Sequence, residues 1–253
     1  MIRFISKNTE QEVGATAATI MAEVIRHRPT ALIGLATGSS PLNMYSALAD
    51  MYRRGELSFS SVRAVNLDEY VGLSSDHPQS YAYFMRKNLF SHIDIKEQNC
   101  HIPVGTADPA AECERYDRLL DKLGRVDIQL LGLGHNGHIA FNEPDSHFPL
   151  DTIAVKLSDS TVNANSRFFS SPKEVPTTAI SMGIGRILRA ERILLIVTGQ
   201  SKADILETAL FGRITPAVPA SILQFYQGEL TVVGDTAAMS VVAEKHPYVF
   251  DKN

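Results

Sequence analysis

A glycine-rich run, Gly132-Leu133-Gly134-His135-Asn136-Gly137-His138-Ile139-Ala140-Phe141-Asn142-Glu143-Pro144, places two imidazoles and a carboxylate on one short stretch after an apolar segment. Those groups move protons near neutral pH. Two sharper readings fail on spacing. The literal GxGxxG would need a long helix opening at the glycines and an acidic residue closing the next strand. Pro144 instead follows seven residues after Gly137, and no such strand appears, so no nicotinamide cofactor is expected. His135-x-x-His138 with Glu143 lacks the HExxH helix and a second ligand cluster, so no metal is expected either. Of the two histidines, His135 reads as a satisfied structural side chain.

Asn66-Leu67-Asp68-Glu69-Tyr70 ends a second apolar run with two carboxylates, of which one need face a cleft to act as acid or base while the other caps or is solvated. Ala36-Thr37-Gly38-Ser39-Ser40-Pro41 joins an apolar run to a helical stretch. Its small residues and the unpaired N–H groups of a helix start make a seat for phosphate or carboxylate, the plain alternative being a capped turn. It is not a Walker loop, because the GxxxxGK[ST] spacing is missing. Two cations stand in polar surroundings: Lys202, after Thr198-Gly199-Gln200-Ser201, and Arg167, in Asn165-Ser166-Arg167-Phe168-Phe169. Alone, either is an ordinary surface charge; near strand ends both are candidate phosphate ligands.

The elements that must position these groups alternate. Unbroken apolar runs at Ala31–Ala36, Val62–Leu67, Ile128–Leu133, Arg192–Thr198 and Leu230–Val233 read as buried parallel strands, and the chain starts directly at a further strand. Between them, Thr9 caps a helix carrying Val13, Ala17, Ile20 and Val24. Pro41 and Pro109 sit in the first turns of two more, and Ser201 caps a fourth with Ile205, Leu206 and Leu210. The alternation predicts a three-layer αβα sandwich around a central, mainly parallel sheet. Ligands then collect at loops 37–40, 67–72, 134–147 and 198–202, the C-terminal strand ends. A single domain over 1–253 is expected. The Pro-, Ser- and Thr-rich stretch 144–177 is the candidate lid, or else a surface excursion.

Composition bounds the partners. With 253 residues, 44% hydrophobic and 21% charged, the chain is an ordinary globular protein that needs no staple. A net charge of −4 gives no field for nucleic acid or an anionic membrane, so an anionic ligand must be held by local cations and backbone N–H groups. Cys100 and Cys113 match neither a redox nor a zinc spacing and read as reduced thiols of a cytoplasmic protein. No signal peptide or membrane span is apparent.

The ordered strings LATGSSP, NLDEYVGL, GLGHNGHIAFNEP, NSRFF and TGQSKA, reaching over nearly the whole chain to about residue 235, resemble the glucosamine-6-phosphate deaminase family. The resemblance implies a Rossmann-like fold. It also implies conversion of D-glucosamine 6-phosphate and water to D-fructose 6-phosphate and ammonia, with no metal or organic cofactor. It casts Asp68 as the proton shuttle of enolisation and His138 as the acid–base of ring opening. Asn136 and Glu143 orient that histidine, and Thr37, Gly38, Ser39, Ser40, Arg167 and Lys202 grip the phosphate. Many members carry Asp where this chain has Asn136; an amide there can hydrogen-bond but brings no charge to an imidazolium. Two rivals stand beside this reading. One is a 6-phosphogluconolactonase, which needs activated water but no shuttle between carbons. The other is a sugar-phosphate sensor, which would come with a basic DNA-binding element. Longer family members are allosteric hexamers activated by N-acetylglucosamine 6-phosphate; the short tail of this chain points to a monomer.

Overall fold

Ten strands and eight α-helices make up the computed structural model over its described residues, 2–166, 169, 171 and 174–250. Seven strands form one sheet in which every pairing is parallel: β1 (Ile2–Lys7), β10 (Glu229–Asp235), β9 (Arg192–Val197), β6 (Ile128–Gly132), β2 (Leu32–Leu35), β3 (Arg63–Asn66) and β5 (Cys100–His101), in that spatial order. All four residues of β2 and the last five of β9 are buried. Successive side chains of a strand point to opposite faces, so both faces of the sheet are covered. Their unbroken hydrophobicity is the sequence record of that double coverage, and it makes the five predicted strands correct to within a residue or two at their ends.

The helices follow their caps. Before α1 (Glu10–His27), the Thr9 hydroxyl accepts from the Glu12 N–H at 3.2 Å while the Glu12 carboxylate accepts from the Thr9 N–H, a reciprocal capping box. The helix buries Val13, Ala17, Met21 and Ile25 and packs on α2 (Leu42–Arg53), which begins directly after Pro41. Pro109 is the first residue of α4 (Pro109–Leu123), capped by Asp108. The Ser201 cap is a correction. Gly199 turns the chain at φ 89°, residues Gln200–Lys202 make a 3-10 turn, and α7 (Ala203–Phe211) starts behind Lys202 without a side-chain cap.

A second, antiparallel sheet was not legible. It consists of β4 (Asp68–Tyr70), β8 (Thr178–Ser181) and β7 (Ile153–Lys156), in the order β4-β8-β7. The segment expected to be irregular over 144–177 thus supplies β7 and α5 (Asp159–Asn165). Its base is tied to the main body by Arg186, whose Nε lies 3.1 Å from Asp117 of α4 and 3.0 Å from Asp151. Leu67 splices the two sheets. Its N–H donates to the Leu35 carbonyl of β2, and its own carbonyl accepts from the Met182 N–H at 2.7 Å, just past β8. The remaining helices are α3 (Tyr81–Asn88), α6 (Ile184–Ile187) and α8 (Ser240–Lys245). Cys100 and Cys113 are free thiols. Among the described residues no helix is long and apolar enough to cross a membrane.

Candidate active site

A cleft of about 810 Å³ opens at the C-terminal ends of the central strands. Four loops meet there: Ala36–Ser40 after β2, Leu67–Asp68 after β3, Gly132–Phe141 at the end of β6 and Thr198–Lys202 after β9. These are the loops that strand polarity singles out.

The glycine–histidine turn owes its shape to backbone that other residues would resist. Gly137 has φ 83°, and the Gly137 N–H donates to the Gly134 carbonyl at 3.1 Å. A β-carbon on Gly134 would stand 2.3–2.4 Å from three ring atoms of His138, so the imidazole lies in the space a side chain would fill. His138 Nδ1 faces Glu143, 3.7 Å from its Oε2. That is longer than a hydrogen bond and within reach of an ion pair. Glu143 is held tightly on its other sides: it accepts from Asn136 Nδ2 at 2.7 Å, from Ser158 Oγ at 3.2 Å and from the Thr161 hydroxyl. Burial alone would raise its pKa. His138, Thr161 and Asn136 together outweigh burial and hold the carboxyl down at about 2. Asn136 therefore acts on the imidazole through the carboxylate, while its Oδ1 accepts from the His138 backbone N–H at 3.2 Å. His135 is exposed and lines the cleft.

Asp68 opens β4 and lines the same cleft, 6% exposed. Its register partner is Ser181 of β8, whose Oγ accepts from the Phe141 N–H at 3.0 Å, so the carboxylate strand and the histidine turn are clasped together. Burial pushes the Asp68 carboxyl well above the usual carboxylate range, and the charge of Glu69 pushes it further. The two neighbours have separate work. Glu69 accepts from the backbone N–H groups of Tyr70, Tyr81 and Ala82 at 2.8–2.9 Å, binding the start of α3 to β4.

In the same cleft, Gly38 takes φ 91° and the Tyr45 hydroxyl donates to the Ala36 carbonyl, fixing the Thr37–Ser40 loop at the head of α2. Lys202 lines the cleft as well, its Nζ donating to the Leu133 carbonyl at 2.7 Å. Asp235 sets the loop behind it by accepting from the Gly199 N–H at 2.9 Å. Arg167 lies outside the described residues.

Comparison with known proteins gives the family. A model of the glucosamine-6-phosphate isomerase/6-phosphogluconolactonase family matches residues 6–232. The glucosamine-6-phosphate deaminase of Lachnoclostridium phytofermentans is 49% identical over 233 residues, covering 92% of this chain and 98% of that one. That of Thermoanaerobacter sp. strain X514 is 47% identical over 236 residues, or 93% of each. The chain belongs to the glucosamine-6-phosphate deaminase family. A solved structure of a monomeric glucosamine-6-phosphate deaminase superposes with a TM-score of 0.91 at 44% identity, over 94% of this chain and 99% of that one. The 6-phosphogluconolactonase of Trypanosoma brucei shares the fold, with a TM-score of 0.75 at 19% identity over 95% of this chain and 98% of that one.

In this deaminase-family chain three cleft-side residues escaped the sequence reading. Ser158 and Thr161 hold Glu143; a serine directly ahead of a short helix is a cap signature, and Ser158 does accept from the Thr161 N–H. Tyr81, at the start of α3, lines the cleft beside Asp68, and nothing in its surroundings in sequence marks it out. Among the described residues no three His, Cys, Asp or Glu side chains converge as a metal site would.

Proposed function

We propose that the protein converts D-glucosamine 6-phosphate and water to D-fructose 6-phosphate and ammonia. The observation that carries this reading is a single cleft lined by Asp68, His138, the Thr37–Ser40 loop and Lys202, with Glu143 facing the imidazole from behind. Family membership supports it.

The phosphate is the handle: backbone N–H groups of the 37–40 loop, the Ser39 and Ser40 hydroxyls, Lys202 and Arg167 hold it. His138, backed by Glu143 and through it by Asn136, moves the proton that opens the pyranose ring. In the open chain the C1 aldehyde acidifies the C2 proton, which passes to Asp68. The electron pair left at C2 runs to O1, which takes a proton from the substrate's own ammonium group, giving a neutral enolamine. Asp68 returns the proton to C1, the C2–N bond becomes an iminium, and water adds to C2 as ammonia leaves. The raised pKa of Asp68 makes it a stronger base than a surface carboxylate once ionised. The substrate's own carbonyl is the electron sink, which is the part a cofactor otherwise plays.

The 1–253 chain works in this reading as one domain and as a cytoplasmic monomer, with 144–177 as its lid. The test is release of ammonia from glucosamine 6-phosphate, with and without a chelator. Undiminished release in the chelator supports the reading, and no release defeats it. Hydrolysis of 6-phosphogluconolactone in place of deamination would establish the rival. Light scattering checks the monomer; slower cleavage within 144–177 in bound substrate checks the lid.

A further inference from the structure

We propose that Tyr81 is a further catalytic residue, its phenol donating a hydrogen bond to the substrate oxygen at C1 while Asp68 works on C2. The inference rests on the deaminase reading and adds a group to it.

Tyr81 is built into the site from two sides. Its backbone N–H and that of Ala82 donate to Glu69 at 2.9 Å, so the residue is pinned to the strand that carries Asp68. Its ring stacks on Phe141 of the glycine–histidine turn, centroids 5.8 Å apart at 12°, and leans on Tyr70 at 4.9 Å and 50°. The ring is thus wedged between the element that holds the base and the one that holds the imidazole, and it lines the cleft they share. The phenol hydrogen-bonds the Tyr70 and Thr37 side chains and lies within the field of the Asp68 carboxylate, so a substrate oxygen would take the place of Tyr70 as acceptor. Burial first, then the neighbouring Tyr70 and Asp68, raise its pKa well above that of a free phenol. It stays protonated wherever the enzyme works, and so serves as a donor and never as a base. Removal of the C2 proton drives negative charge onto O1. A fixed neutral donor at that oxygen lowers the barrier without needing to move.

Tyr81→Phe separates this role from packing, because it keeps the ring, both stacking contacts and the Glu69 bonds and deletes only the hydroxyl. The expected result is a kcat for ammonia release lower by ~10²-fold, with inhibition by inorganic phosphate unchanged and Tm close to wild type. A kcat and KM within about twofold of wild type would overturn the inference and leave the deaminase reading standing. If the wild-type protein itself releases no ammonia, the reading falls and this inference with it. Tyr81→Trp, which keeps an aromatic ring but moves its donor, is expected to be as slow as Tyr81→Phe; recovery of wild-type kcat in it would also overturn the assignment.

Discussion

Gly134→Ala offers a test of the site that barely touches the fold. The backbone at 134 does not adopt the left-handed conformation that only glycine tolerates, so an alanine there is not strained in itself. The added methyl would instead lie 2.3–2.4 Å from Nε2, Cδ2 and Cε1 of His138. Ordinary carbon contacts are about 3.5–4.0 Å, so the ring must retreat by more than about 1 Å. It has somewhere to go, since one side of the imidazole opens on the cleft, and the loss of stability should stay below about 1.5 kcal/mol. The geometry has no such slack: a displacement of about 1 Å at a reacting group costs ~10²-fold in rate. The expected outcome is a kcat lower by ~10²-fold, a Tm within a few degrees of wild type and a KM moved far less. Steady-state ammonia release and a thermal melt on the same preparation read all three. A kcat within about threefold of wild type would refute the claim that the ring's present position matters to turnover.

Asp68→Asn keeps the shape of the β4 edge and removes the base, so turnover should fall by ~10²–10⁴-fold with phosphate inhibition retained; near-normal turnover rejects the shuttle. Lys202→Met removes a charged donor from the phosphate end, and KM should rise by ~10–10²-fold with a smaller change in kcat, as read by initial rates over substrate. Glu143 lies below its unfolded pKa of about 4.5, so its ionised form stabilises the fold above that value and the contribution disappears as pH falls towards about 2. Urea denaturation of wild type and Glu143→Gln should therefore show a gap that is widest near neutrality and closes on acidification; a gap independent of pH contradicts this account. For Asn136→Asp, loss of the 2.7 Å amide donor sets two carboxylates against each other, and the acid limb of the pH–rate profile should move to higher pH. Superimposable profiles would show that the amide has no part in tuning the site.

What the residue order discloses about this fold depends on burial. β2, β6 and β9 are sealed on both faces, so their hydrophobicity is continuous and their ends are plain. β4, β7 and β8 are three or four residues long, and their partners lie far away in the chain, so no local period reveals them. The same divide runs through the site. Gly134, Gly137 and Gly38 advertise tight turns, and the acids and imidazole beside them advertise proton chemistry. Thr161 and Tyr81 are ordinary residue types that matter through the tertiary neighbours they meet, Glu143 for one and Phe141 and Glu69 for the other. Ser201 misled for a related reason: a serine before an apolar stretch looks like a cap, but the Gly199 turn, held by Asp235, delays the helix until Ala203.

The splice at Leu67 has a consequence for which sugars can react. One residue joins the sheet that bears the proposed anion seat to the sheet that bears the carboxylate, bonded to Leu35 on one side and Met182 on the other. In the proposed reaction the span from seat to carboxylate would then be fixed, and the cleft would measure its ligand as a ruler does. On the proposed function, a hexose phosphate would reach from one mark to the other. An amino pentose phosphate, one carbon shorter, would still fasten at the seat, yet its C2 would stop short of the base, and it would act as an occupant rather than a reactant.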